Sequence, residues 1–158
     1  MNTDNAVREH VVAQLRGGSA HVEFDKVFAR FPEDIRGKKI RDLPYTAWQI
    51  FEHMRIAQWD ILEFSRDSKH VSPEWPEGYW PKTAAPPSRA AWTAGIKSFR
   101  NDLQGMIELV QDPSTDLFAP IPHGTGQTIM REALLVGDHN AYHLGQLVMV
   151  RKMLGAWK

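Results

Sequence analysis

The chain has 158 residues, of which 19 are basic, 19 are acidic and none is cysteine. Its length suits a single domain, predicted here over residues 1–158, and its composition is ordinary for a globular protein. The missing cysteines exclude a disulfide scaffold, a thiolate nucleophile and a cysteine metal site. The formal net charge of zero provides no overall field for binding nucleic acid or a membrane surface, whereas seven histidines are available for metal or acid–base chemistry.

The expected location of the protein is cytoplasmic. The first ten residues lack the basic start and the apolar run of a signal peptide. The apolar stretches are far shorter than the ~20 residues that a membrane helix needs. The sequence therefore predicts a protein with neither a membrane nor a nucleic-acid partner.

Two helical runs are predicted at the start of the chain. Thr3 or Asp4 can cap the first run, and Gly17-Gly18 ends it because glycine readily adopts the left-handed conformation that follows many helices. Ser19 begins the second, shorter run, which Pro32 stops. The apolar positions of the two runs recur at helical spacing: Val7, Val11, Leu15, Phe24, Val27, Phe28 and Phe31.

A loop and then a long helix follow. Residues 32–44 contain proline, glycine and a basic cluster from Arg36 to Arg41, which we expect to be solvated. Binding of an anionic substrate is the alternative role of this cluster. The helix is predicted from about Thr46 to Ser65 and has a broad apolar face.

Residues 72–88 form a proline-rich loop with three aromatic side chains, those of Trp75, Tyr79 and Trp80. So many aromatic residues are typical of a structured loop rather than of a flexible linker. The loop is predicted either to plug one end of the helical domain or to cover the mouth of a pocket. In the second case its rings would form an apolar wall for a substrate.

Two more helices complete the pattern. Ser88 caps a third helix at about 89–110. After the proline- and glycine-rich residues 113–126, Thr125 or Thr128 opens a last helix, predicted at about 127–154, and Gly155 ends it. The sequence lacks the alternation typical of strands. Four long amphipathic elements predict an all-α fold, most simply a four-helix bundle.

The sharpest local feature lies in the last helix, in the segment Asp138-His139-Asn140-Ala141-Tyr142-His143-Leu144-Gly145-Gln146. His139 and His143 lie four residues apart, which places them on one helix face about 6 Å apart along the axis. Such a pair can bind one metal ion. The pair alone is equally compatible with a polar patch at the end of a bundle.

A third histidine, His53, lies on a largely apolar face of the second long helix. A lone histidine on such a face is usually a satisfied core residue. Opposite the pair on another helix, His53 would instead complete a three-histidine site, whose remaining coordination positions can bind and activate a ligand. The other four histidines are expected outside the site, on the surface or in solvated loops: His10, His21, His70 and His123.

Both histidine segments resemble the DinB-like (DinB/YfiT) superfamily. The segment Glu52-His53-x-x-x-Ala57, with Trp48 before it, is similar to the second helix of that family, and residues 138–146 are similar to its last helix. The order of helices and loops agrees over nearly the whole chain. The resemblance implies a four-helix bundle with up-down-down-up topology, often assembled as a homodimer.

The resemblance also implies a divalent metal, nickel or zinc, held by His53, His139 and His143. Characterised members of the family include S-transferases that use bacillithiol or related small thiols, mycothiol-dependent isomerases and metal-dependent hydrolases. The implied function is therefore a metal-dependent enzyme, a small-thiol S-transferase or a hydrolase, acting on a small-molecule substrate. The alternative is a non-catalytic metal-binding protein of the stress response, whose ion is structural.

The chemistry predicted for an open three-histidine site is activation of a thiol or of water, with no side chain assigned as the catalytic group. The metal would lower the pKa of the bound group and present it to an electrophile. Because the chain has no cysteine, a low-molecular-weight thiol would have to be a cosubstrate. Polar partners for the free imidazole nitrogens complete such sites. The candidates by spacing are Gln146, which is preferred, Gln49, Asp138 and Glu52, and ordinary solvation on a helix surface is the alternative for each.

Overall fold

The computed structural model describes residues 3–157, and the regular structure in this range is helical. Its α-helices are α1 (Thr3–Arg16), α2 (Phe24–Phe28), α3 (Ala47–Arg66), α4 (Arg89–Gln111) and α5 (Ile129–Met153). Short 3₁₀ turns lie in the loops at Glu33–Ile35 and Glu77–Tyr79. The described residues include an isolated antiparallel bridge between Pro120 and Thr128 but no strand. The predicted all-α class is therefore confirmed.

The starts of α3, α4 and α5 are capped by residues that the sequence indicated. Thr46 and Gln49 form a capping box at the start of α3, in which each side chain accepts a hydrogen bond from the backbone N–H of the other. Ser88 and Thr128 cap α4 and α5 through their hydroxyl oxygens. Gly17 follows α1 with a φ of 69°, which glycine adopts without strain.

The second helical run is shorter than predicted. It begins at Phe24 rather than at Ser19 and ends at Phe28, ahead of Pro32. The four apolar side chains assigned to it are nevertheless buried: Phe24, Val27, Phe28 and Phe31. Because a five-residue helix has little stability of its own, this segment depends on its aromatic contacts with the core.

The core lies between the four long helices, because α1 and α3 each pack against both α4 and α5. One half of the core is aromatic and centres on Phe51, whose ring lies 4.6 to 6.4 Å from five other rings. These five belong to Phe24, Phe28, Trp48, Trp92 and Phe99. The other half is largely aliphatic and includes Leu62, Met106, Val110, Leu117 and Val136. Within residues 3–157, no helix is long and apolar enough to cross a membrane.

Arg36 departs from the solvated basic cluster predicted for residues 32–44. Its side chain is buried, lies over the ring of Trp92 at 4.6 Å and donates a hydrogen bond to the carbonyl oxygen of Phe31. A guanidinium group is planar and weakly hydrated, so it can stack on an aromatic face where an ammonium group would stay in water. The other members of the cluster are exposed, as predicted: Lys38, Lys39 and Arg41.

Candidate metal centre

Three histidines from two helices lie together in the structure. His53 belongs to α3, and His139 and His143 belong to α5. One ring nitrogen of each lies within 4.8 Å of the others, and the Nε2 atoms of His53 and His139 are 3.0 Å apart. The grouping of these three histidines is therefore confirmed, and the group could hold a metal ion.

A buried amide pair fixes the position of α5 relative to α3 beside this group. The side-chain nitrogen of Asn140 donates to the side-chain oxygen of Gln58 at 2.8 Å. The nitrogen of Gln58 in turn donates to the backbone carbonyl of Phe99 in α4 at 2.7 Å. Because Asn140 directly follows His139, this chain of hydrogen bonds sets the register in which the histidines of α5 face His53.

The hydrogen bonds of His53 and His143 leave one nitrogen of each ring available to a ligand. Nδ1 of His53 lies 3.0 Å from the carbonyl oxygen of Tyr79. Because a carbonyl only accepts, Nδ1 carries the proton, and Nε2 keeps its lone pair. Nδ1 of His143 donates in the same way to the side-chain oxygen of Gln146 at 2.7 Å. Metal-binding histidines are commonly oriented by such partners.

Burial lowers the pKa of all three histidines. The effect is largest for His139, where burial, followed by the neighbouring His143 and His53, lowers the pKa to about 3. The imidazoles are therefore neutral at neutral pH. Neutral imidazole is the form that binds a metal ion.

The donor set suits a divalent transition-metal ion. Two imidazole nitrogens at ~2.0–2.1 Å from a tetrahedral zinc ion lie about 3.4 Å apart, close to the 3.0 Å between the Nε2 atoms of His53 and His139. The same distance is also that of an N–H···N hydrogen bond. The fit therefore depends on the convergence of three nitrogens and on the two fixed tautomers rather than on this one distance.

The proline-rich loop packs against His53. The ring of Trp80 stacks on the imidazole of His53 with 4.0 Å between the centroids and 1° between the planes. The ring of Tyr45 stacks on Trp80 at 3.9 Å. Tyr79 supplies the carbonyl bonded to His53, whereas Trp75 is 70% exposed. The loop is structured, as predicted, and two of its three aromatic residues lie at the histidines.

Of the four candidate partners of the imidazoles, Gln146 contacts a site histidine. Gln49 is engaged in the capping box of α3. Glu52 is buried and forms a two-point ion pair with Arg55, at 2.9 Å for each contact. Asp138 is exposed. Helix spacing placed the other three close to the histidines along the chain, but their side chains have nearer partners or face solvent.

The expectation that His70 is solvated is wrong. Its side chain is 9% exposed, and its Nε2 lies 2.7 Å from a carboxylate oxygen of Asp60 in α3. Asp60 also accepts a hydrogen bond from the hydroxyl of Tyr79, so it belongs to the surroundings of the site. The sequence did contain a signal for Asp60: it lies seven residues after His53, which puts both side chains on one face of α3. Three other histidines are exposed, as predicted: His10, His21 and His123.

No protein-family model, curated protein or solved structure matches this chain. The metal centre is therefore supported by its own geometry and not by that of a relative. The resemblance of the two histidine segments to the DinB-like superfamily stays a prediction.

Acid is expected to destabilise the metal-free protein through these histidines. Their pKa values are lowered in the folded state, whereas in the unfolded chain they titrate near the ordinary value of 6.5. The unfolded state therefore binds more protons below pH 6.5, and the free energy of unfolding should fall as the pH is lowered toward about 3. Urea unfolding of chelator-treated protein at a series of pH values measures this slope.

The His139→Gln variant should show a shallower fall, because the histidine with the most strongly lowered pKa is gone. His10→Gln is the matched control, since His10 is exposed. If the free energy of unfolding falls with pH as steeply in His139→Gln as in the wild type and in His10→Gln, the buried histidines are not the cause of the acid sensitivity.

Proposed function

We propose that this protein is a DinB-like four-helix-bundle protein that binds a divalent metal ion through His53, His139 and His143. The observation that carries metal binding is the convergence of three ring nitrogens from α3 and α5 within 4.8 Å. The packing of α1 and α3 against both α4 and α5 supports the bundle.

The function that this site supports best is that of a metal-dependent enzyme, a small-thiol S-transferase or a hydrolase. Three protein nitrogens leave coordination positions for another ligand, whereas structural zinc sites usually have four protein ligands. A bound nickel or zinc ion would supply a Lewis acid that lowers the pKa of a thiol or of water. The thiol would come from a cosubstrate, because the chain has no cysteine.

The side chains around the histidines would orient the ligands and contact the substrate. The Tyr79 carbonyl and the Trp80 ring hold His53, and Gln146 holds His143. Tyr142 is 65% exposed, and its ring meets that of His143 edge-on at 4.9 Å. Tyr142 therefore offers aromatic surface beside the three histidines for the apolar part of a small molecule.

The burial of His53 and His143 favours a second candidate, a non-catalytic metal-binding protein. The two residues are 4% and 6% exposed. A structural ion can be fully enclosed by the protein. An enzyme instead needs an opening through which a substrate reaches the ion, for example by movement of the proline-rich loop.

Metal content and turnover together test these two candidates. Elemental analysis of protein purified without chelator should find close to one divalent ion per chain. The loaded protein is then assayed with small thiols against a panel of electrophiles, and separately with ester and amide substrates. Turnover that is lost on chelation and restored by the metal supports the enzyme. Bound metal without turnover in either panel supports the second candidate, and protein that takes up no divalent ion contradicts both.

A homodimer, which the resemblance implies, is proposed as the assembly. Light scattering of the metal-loaded protein measures its mass directly. The mass of a single chain, 18.0 kDa, over the working concentration range would contradict the dimer.

A further inference from the structure

Asp60 is a buried carboxylate that ties the proline-rich loop to α3. It is 7% exposed. One carboxylate oxygen accepts from the hydroxyl of Tyr79 at 2.5 Å, and the other accepts from Nε2 of His70 at 2.7 Å. A buried carboxylate is costly unless it is hydrogen-bonded, and bonds to a charged acceptor are stronger than neutral ones. Both oxygens are satisfied by residues that follow α3, so the carboxylate holds this segment in place.

Tyr79 connects Asp60 with His53. Its hydroxyl donates to Asp60, and its backbone carbonyl accepts from Nδ1 of His53. Asp60 and His53 are seven residues apart on α3, about 10 Å along the helix axis. Tyr79 therefore lies along α3, with its side chain fixed at one end and its carbonyl placed at the imidazole at the other. Burial and the bond to Asp60 raise the pKa of Tyr79 to about 12, so its hydroxyl keeps the proton that it donates.

Trp80, the residue after Tyr79, contacts the same imidazole of His53. Trp80 stacks on His53, and its ring is also stacked with that of Tyr45. A displacement of Tyr79 would therefore move both the carbonyl that fixes the tautomer of His53 and the indole that fixes its plane.

We propose that Asp60 is a positioning residue for His53. By holding the hydroxyl of Tyr79, it keeps the Tyr79 carbonyl on Nδ1 of His53. The lone pair of Nε2 then faces His139 and His143. The effect on metal affinity rests on the proposed metal site, whereas the effect on the tautomer of His53 does not.

Two substitutions test this role with little change in shape. Tyr79→Phe removes only the hydroxyl, and Asp60→Asn keeps the volume but removes the charge and one acceptor. Tyr45→Phe is the hydroxyl control, because its ring can still stack on Trp80, and Asp25→Asn is the carboxylate control, because Asp25 is exposed and pairs with Arg100. Thermal melting establishes that each variant is folded, and Tyr79→Phe decides the question if Asp60→Asn does not fold.

The first measurement is the pair of ¹⁵N chemical shifts of the His53 ring in the metal-free protein. The wild type and both controls should show the Nδ1–H tautomer. Tyr79→Phe and Asp60→Asn should show a substantial share of the Nε2–H tautomer. A residue with only a structural role would lower the melting temperature and leave the tautomer unchanged.

The second measurement is zinc affinity in competition with a chromogenic chelator. Loss of an outer partner of a ligand histidine typically weakens metal binding by roughly 10–100-fold, and we expect this range for both variants. A wild-type tautomer and wild-type affinity in Tyr79→Phe would overturn the role of Asp60 while leaving the metal site intact. A tautomer change in a protein whose wild type binds no zinc would support the role of Asp60 and contradict the proposed function.

Discussion

The His143→Ala variant is expected to retain almost no bound metal after dialysis. The substitution removes one of three converging nitrogens and leaves a pair of histidines, which binds a divalent ion far more weakly. The loss should exceed the roughly 10–100-fold that follows removal of an outer partner. Elemental analysis after dialysis, compared with the wild type treated in parallel, measures it. His139→Ala and His53→Ala should behave alike, because the site depends on all three rings.

Two other histidines provide matched controls for this experiment. His10→Ala removes an exposed imidazole, and His123→Ala removes one that lies in the loop between α4 and α5. Both variants should keep the metal content of the wild type. Full occupancy in His143→Ala would exclude the three-histidine site, and loss of metal in His10→Ala would point to a different one.

The helices could be predicted from the sequence because their signals are local. The capping residues Thr46, Ser88 and Thr128 and the apolar periodicity between them lie within the elements that they define. The start of α2 could not be predicted in this way. Residues 19–23 have a composition compatible with a helix, but contacts of Phe24 and Phe28 with the distant Phe51 decide where this segment becomes helical.

The candidate site, too, has a part that local sequence spacing predicts and a part that depends on contacts between distant segments. The four-residue spacing of His139 and His143 is a local signal, and it correctly placed them on one face. The contacts of His70, Asp60 and Tyr79 depend on the path of a loop over α3, which no spacing within one element reveals. For that reason His70 was predicted to be solvated, and the polar partners of the site imidazoles were predicted only from their proximity along the chain.

The Phe51→Ala variant is expected to lower the free energy of unfolding by ~3–5 kcal/mol. Phe51 is fully buried, and its ring lies near five other aromatic rings, so truncation removes both buried apolar area and several ring contacts. A loss of this size is a large fraction of the ~5–15 kcal/mol that stabilises a typical domain. Urea unfolding of the metal-free protein measures it.

Phe118→Ala is the matched control, because Phe118 is 62% exposed and should change the free energy of unfolding by no more than about 0.5 kcal/mol. Equal losses in the two variants would contradict the aromatic core.

Added zinc separates this core from the metal centre, since a ligand that binds only the folded state raises stability. Phe51→Ala should still gain stability from zinc because its three histidines remain, whereas His143→Ala should gain little, although its metal-free stability is nearer to that of the wild type. Urea unfolding with and without zinc would then distinguish the core from the site. The aromatic cluster sets the position of α3, and the histidines determine what that helix binds.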